Sequence, residues 1–132
     1  MKFSTRSSYG LRAIIRLAKN YGQSPYSLAK IAKEEKISLA YLERLFSSLK
    51  KAKIVVSSKG MAGGYQLAQK PSQISVFSVI EALEGKISVF HCLNSAGKVF
   101  CGQKCCPSVK VYQKVQKAIV QSLKSMSLQD LT

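Results

Sequence analysis

Residues 91–107, "HCLNSAGKVFCGQKCCP", hold all four cysteines of the chain and its one histidine. The spacing is Cys92-x8-Cys101-x3-Cys105-Cys106. One cysteine alone reads as a small buried hydrophobe. Four within 15 residues read as a set of soft donors, the type that holds an iron–sulfur cluster or zinc. The spacing is not the paired CxxC…CxxC of a zinc ribbon, so zinc is the alternative. His91 is a further donor beside Cys92, although an isolated histidine is more often simply packed or exposed. Gly97 and Gly102 give the stretch slack, and Lys98 and Lys104 offset thiolate charge. No helix or strand is predicted from Cys92 to Cys106, and a loop of this length is usually functional. A thiol–disulfide switch using Cys105 and Cys106 is a second chemistry open to the same residues. An enzyme with a cysteine nucleophile is not supported. There is one histidine, no carboxylate lies in the loop, and no substrate pocket is signalled.

The rest of the chain must position this loop. Its 132 residues suit one domain with an extension, and 46% hydrophobic content supports a real core. The net charge of +15 calls for a polyanionic partner. Residues 1–60 carry 13 Lys and Arg against 3 acidic residues, whereas residues 61–132 carry 8 against 3. The front half is therefore the expected polyanion-binding part. No apolar run approaches a membrane span. Arg12 and Arg16 interrupt the apolar positions of the first twenty residues, unlike a secretory signal. A reducing cytoplasm is expected, where clustered cysteines indicate metal or redox chemistry rather than structural disulfides.

Residues 4–20 carry Leu11, Ile14, Ile15 and Ala18 at helical spacing, with Gly22 and Pro25 ending the helix. Ser27 caps "SLAKIAKEEK", with Leu28, Ile31 and Ala32 inward. After a turn at Lys36 and Ile37, Ser38 caps "SLAYLERLFSSLKKA", with Leu39, Leu42, Leu45, Phe46 and Leu49 inward. Two short helices joined by a tight turn are a helix-turn-helix. "KIVVSSKGMAGGYQLAQ" reads as a hairpin with a glycine-rich tip, the wing of a winged helix. Its "KGMAGG" lacks the Lys-Ser/Thr and the strand–loop–helix context of a phosphate-binding loop. "SVFSVIEALEG" is a further helix stopped at Gly85. Pro107 is expected at the first position of a last helix, whose Val109, Tyr112, Ile119, Leu123 and Met126 line one face. That stripe exceeds what the preceding domain needs, so a partner helix is expected to cover it.

A recognition helix presents polar and basic side chains to a groove while its apolar side holds the core. The candidates are Ser38, Ala40, Tyr41, Glu43 and Arg44 near base edges. Glu43 would accept from cytosine and Arg44 would donate to guanine. Lys50, Lys51, Lys59 and Gly60 suit phosphate or wing contacts.

These residues carry a resemblance. "ISLAYLERLFSSLKKAKIVVSSKGMAGGYQLA", the "FSTRSSYGLRAII" opening and "CPSVKVYQKVQKAI" after the cysteines resemble the winged-helix transcription regulators typified by IscR, NsrR and CymR. The usual proline before the wing glycines is Ala62 here, and the usual wing arginine is Lys59. The resemblance implies a homodimer joined through the long C-terminal helix and an imperfect palindromic operator in double-stranded DNA, bound mostly in repression. It also implies three cluster-binding cysteines, which match Cys92, Cys101 and Cys106. The histidine that follows the last cysteine in IscR-like members is Val109 here. The N-terminal aspartate of nitric-oxide-sensing members is Ser8. Cys105 is then the natural fourth ligand by chemistry, with His91 second. By analogy the cluster is 2Fe–2S rather than 4Fe–4S. The expected targets are iron–sulfur biogenesis genes first and nitric-oxide defence second. The expected fold class is mainly α with a small β wing. A winged helix-turn-helix domain (residues 1–85) precedes a cysteine-rich loop (86–106) and a dimerisation helix with its tail (107–132).

Overall fold

The computed structural model describes residues 2–60, 63–91, 93–99 and 107–132. Helix α1 (Thr5–Lys19) starts at Ser4, whose hydroxyl accepts from the Arg6 amide. Helices α2 (Leu28–Glu35) and α3 (Leu39–Lys51) start at Ser27 and Ser38, each side chain accepting an otherwise orphaned amide. Between them Lys36 adopts the left-handed region at φ 56°, and Ile37 turns inward. Strands β1 (Val55–Ser58) and β2 (Gly64–Leu67) pair antiparallel, Val55 opposite Leu67 and Ser58 opposite Gly64. Tyr26 extends this ribbon by bonding both ways with Tyr65, 2.9 Å each. A Cβ on Gly63 would stand 2.5 Å from the Ser58 carbonyl, so this side of the tip demands glycine. Helix α4 (Val76–Glu84) follows a short 3-10 turn, and helix α5 (Val109–Lys124) leads into a second one at Leu128–Leu131.

The core joins Ile14 and Leu17 of α1, Ile31 of α2, Leu42, Phe46 and Leu49 of α3, and Val79 and Leu83 of α4. Leu128 enters the same core, fully buried, because Val76 and Leu128 exchange backbone bonds with Met126 and Ile74. The chain end thus returns to the head. The fold is the expected one, a winged helix with one long helix after it.

Several local expectations are corrected. Leu39, expected inward, is exposed because it is the first residue of α3 and precedes the buried stripe. Pro107 lies in a turn, and α5 begins two residues later at Val109. Met126 is past the end of α5, which stops at Lys124. No helix or strand is expected from Cys92 to Cys106; Cys92 and residues 100–106 lie outside the described residues, and residues 93–99 hold no helix or strand but do hold a turn. Leu93 and Val99 form a β-bridge around a turn in which Gly97 donates to the Asn94 carbonyl at 2.9 Å.

Two polar clasps were not legible from periodicity. Glu84 Oε1, at the end of α4, accepts from the Ser4 amide and hydroxyl, both at 2.7 Å, and from Ser7 Oγ at 2.6 Å. It caps α1 from 80 residues away. Gly10 permits this approach, since a Cβ there would collide with Leu83. Glu35 receives Arg16 Nε at 2.6 Å and Arg12 Nε at 3.0 Å, pinning α2 to α1.

Burial pushes the Glu84 carboxyl up, but its hydrogen bonds from Ser7 and Ser4 and the nearby Arg6 outweigh this, leaving it below the ordinary carboxylate range. A depressed carboxylate adds stability that is complete above its unfolded value, about pH 4.3, and lost as pH falls through the lower folded value. Glu84→Gln is expected to flatten the acid limb of stability, read by urea unfolding from about pH 6 down to about pH 3. An acid limb as steep as that of the wild type would contradict the clasp.

Candidate functional site

The head presents one face built from α3 and the wing. On α3, Ala40, Glu43, Arg44, Ser47 and Lys51 are exposed and recur at three- and four-residue steps, so they form one stripe. Ser38 stands at its N-terminal end, exposed, with its hydroxyl accepting from the Tyr41 amide at 3.4 Å. Tyr41 is only half-exposed. Its ring meets Tyr9 edge-on at 6.0 Å, its hydroxyl lies 3.3 Å from Thr5 Oγ1, and Arg44 sits over its face. Tyr41 therefore braces α3 against α1 and steers Arg44. Lys50 Nζ donates to Ser57 Oγ at 2.7 Å and ties α3 to the first wing strand. Lys59 and Gly60, φ 103°, are exposed at the wing tip. Met61 and Ala62 lie outside the described residues.

Charge is sorted around this face. Glu35 is held below its ordinary range, first by the Arg16 hydrogen bond and then, against burial, by Arg12; the same bond raises Arg16. Glu34 receives the Tyr26 hydroxyl at 2.7 Å and lies 3.8 Å from Arg16. These carboxylates serve the joint between α1 and α2. Arg44, Lys51 and Lys59 make no ion pair among the described residues. Glu43 is the acid left on the α3 stripe.

The candidate metal ligands Cys92, Cys101, Cys105 and Cys106 lie outside the described residues. His91 is described. It is exposed, and its ring lies 4.2 Å from that of Phe90. Phe90 in turn stacks on Tyr112 of α5 at 3.9 Å and 9°. Among the described residues no cluster of three His, Cys, Asp or Glu could hold a metal. The donors that remain are the thiols, and their chemistry suits a soft metal centre.

A polar and basic helix stripe beside a glycine-tipped wing, on a head where Glu34, Glu35 and Glu84 are engaged elsewhere, defines a winged-helix DNA-binding protein. Residues 3–132 match the Rrf2 family, described as iron-dependent transcriptional regulators. The chain belongs to this family; it is a DNA-binding transcriptional regulator and not an enzyme. The HTH-type regulator CymR of Bacillus subtilis is 36% identical over 131 residues, covering 99% of this chain and 89% of that one. A solved structure of B. subtilis CymR, the global cysteine regulator, covers 99% of this chain and 95% of its own, with a TM-score of 0.83. IscR of Aliivibrio salmonicida is 35% identical over 132 residues, covering 99% of this chain and 77% of that one. The T. potens IscR structure has a TM-score of 0.80 at 35% identity, covering 99% of this chain and 85% of that one. Among the described residues, no helix is long and apolar enough to cross a membrane.

Proposed function

We propose that this chain is a cytoplasmic, homodimeric repressor that reads an imperfect palindrome in DNA and senses through an iron–sulfur cluster held by its cysteine loop. The observation that carries the sensing half is four thiols in 15 residues immediately before α5. Cys92, Cys101 and Cys106 would be ligands, with Cys105 the fourth and His91 its competitor. When bound, a 2Fe–2S cluster supplies a redox- and oxygen-responsive cross-link within that loop. The division into a head (1–85), a sulfur loop (86–106) and a joining helix (107–132) belongs to this reading. So does the choice of iron–sulfur biogenesis genes as targets, with nitric-oxide defence second.

The dimer half is supported by α5. Val111 and Val115 are 60% and 44% exposed on it, and a cavity of about 420 Å³ lined by Phe3, Leu11, Ile80, Leu123 and Met126 opens beside its C-terminal end. Apolar surface of this extent on one helix and its flank fits a second copy of the same chain. A two-fold dimer then spaces two α3 helices for two half-sites. A regulator needs only a few kcal/mol of difference between the ligand-loaded and ligand-free dimer to switch.

Protein purified under argon is expected to be brown, with iron and acid-labile sulfide in equal amounts and weaker operator binding once they are removed. A second reading, zinc or a thiol–disulfide switch, is favoured by the adjacency of Cys105 and Cys106 and by the likeness to CymR. Zinc alone in the purified protein, or colourless protein after reconstitution, would select it.

In the head, Glu43→Ala is expected to change which operators bind, by about 1–3 kcal/mol at one base position. Lys59→Ala is expected to weaken all duplexes alike and lower the salt slope by about 1. Binding competitions across operator variants at several salt concentrations separate the two roles. A sequence-selective loss in Lys59→Ala, or an unchanged preference in Glu43→Ala, would reverse these assignments.

A further inference from the structure

Helix α5 buries one residue, and that residue is polar. Gln116 is 3% exposed. Its carboxamide is engaged at both ends. Oε1 accepts from the Val89 amide at 3.1 Å, and Nε2 donates to the Asn94 carbonyl at 2.9 Å. Near the previous helical turn, Gln113 Nε2 donates to the Gly97 carbonyl at 2.9 Å. A buried amide is costly unless its partners are fixed, so this position holds its place through those two bonds.

The described residues on either side of Cys92 are tied down in turn. Asn94 Oδ1 accepts from the Ala96 and Lys98 amides, Ser88 Oγ donates to the Leu93 carbonyl at 2.6 Å, and Leu93 is buried. Phe90 adds its stack on Tyr112. In sequence, Val89 and Asn94 bracket Cys92, three residues before it and two after.

We infer that Gln116 is a positioning residue, a latch that fixes the segment on both sides of Cys92 to α5 and couples movement of one to movement of the other. A flexible loop would dissipate any strain arising at a ligand. A segment held by both ends of one carboxamide passes it to the helix. The latch itself is a property of the ligand-free chain; its use in signalling rests on the function proposed above.

Amide exchange in reduced, metal-free protein tests the latch. Q116M keeps side-chain length and loses both bonds, and Val89 is expected to exchange at least about tenfold faster. Q116E, read beside the wild type at a pH high enough to ionise its buried carboxyl, keeps the acceptor for Val89 and loses the donor to Asn94. Val89 should then exchange as in the wild type, while Ala96 and Lys98 exchange faster. Amides of the α3 core, such as Leu49, should keep their protection in both. A mere packing role would not separate Val89 from Ala96 in this way. Unchanged Val89 exchange in Q116M overturns the latch. Should Q116M not fold, the Q116E pattern decides alone, and uniform exchange there overturns it equally.

The signalling arm compares operator affinity of iron-loaded and metal-free protein. Their ratio is expected to fall toward 1 in Q116M while the metal-free affinity stays at the wild-type value. A loosened segment with an unchanged ratio would overturn the coupling. If wild-type protein itself shows no such ratio, the proposed sensing fails, and the latch is judged on Val89 exchange.

Discussion

Replacing Cys92, Cys101 or Cys106 with Ala is expected to leave protein reconstituted under argon without iron, sulfide or visible absorption, and with operator binding fixed at its metal-free value. A 2Fe–2S centre needs four protein donors. The only non-cysteine donor in the stretch is His91, whose ring lies beside the Phe90–Tyr112 stack. With one of these thiolates gone, four donors remain only if Cys105 and His91 ligate together, so loss of the cluster also requires that the two do not serve at once. Cys105→Ala separates the remaining assignments. Loss of iron makes Cys105 a ligand, and full retention passes the role to His91, which His91→Ala then tests. DNA binding by each metal-free variant is the control, because the described core, from Ala13 to Leu83 with Leu128, lies outside the cysteine stretch. Full iron in any of the first three variants would remove that residue from the ligand set.

The head was largely legible in the sequence because its signals are local. Ser27 and Ser38 cap helices within three residues of themselves, and the stripe Leu42, Leu45, Phe46 and Leu49 repeats at helical spacing. In sequence, Glu84 is one acid near the end of a helix. Its partners, Ser4 and Ser7, lie about 80 residues away in the chain, and no local pattern joins them. Gln116 carries no local signal of burial, which is set by a turn that folds back on it. That turn did carry a local signal, Asn94 and Gly97 between Leu93 and Val99, which the surrounding cysteines overshadowed. Pro107 falls two residues before the start of α5, the usual margin at helix ends, and Leu39, the first residue of α3, is exposed rather than part of the inward stripe. The exposed stripe of α3 follows from the residue spacing, whereas the engagement of Tyr41 and Lys50 with Thr5 and Ser57 needs tertiary contacts.

Phe46→Ala is expected to lower unfolding stability by about 3–5 kcal/mol, a large share of what a domain of this size possesses. Phe46 is fully buried at the centre of α3. Its ring meets Tyr65 of β2 edge-on at 5.0 Å, so one side chain joins α3 to the wing. Truncation removes buried apolar surface and leaves a cavity that helices pinned by Glu35 and Glu84 can only partly close. Phe46→Leu, which refills most of the volume, should recover much of the loss. Urea unfolding at constant slope gives the energy. Operator affinity of the folded Ala variant gives the consequence, since a wing freed from α3 must be reordered on binding. A cost below about 1 kcal/mol would mean that the neighbouring helices collapse into the space. The wing would then be held by the Tyr26–Tyr65 bonds and the Lys50–Ser57 contact rather than by this ring.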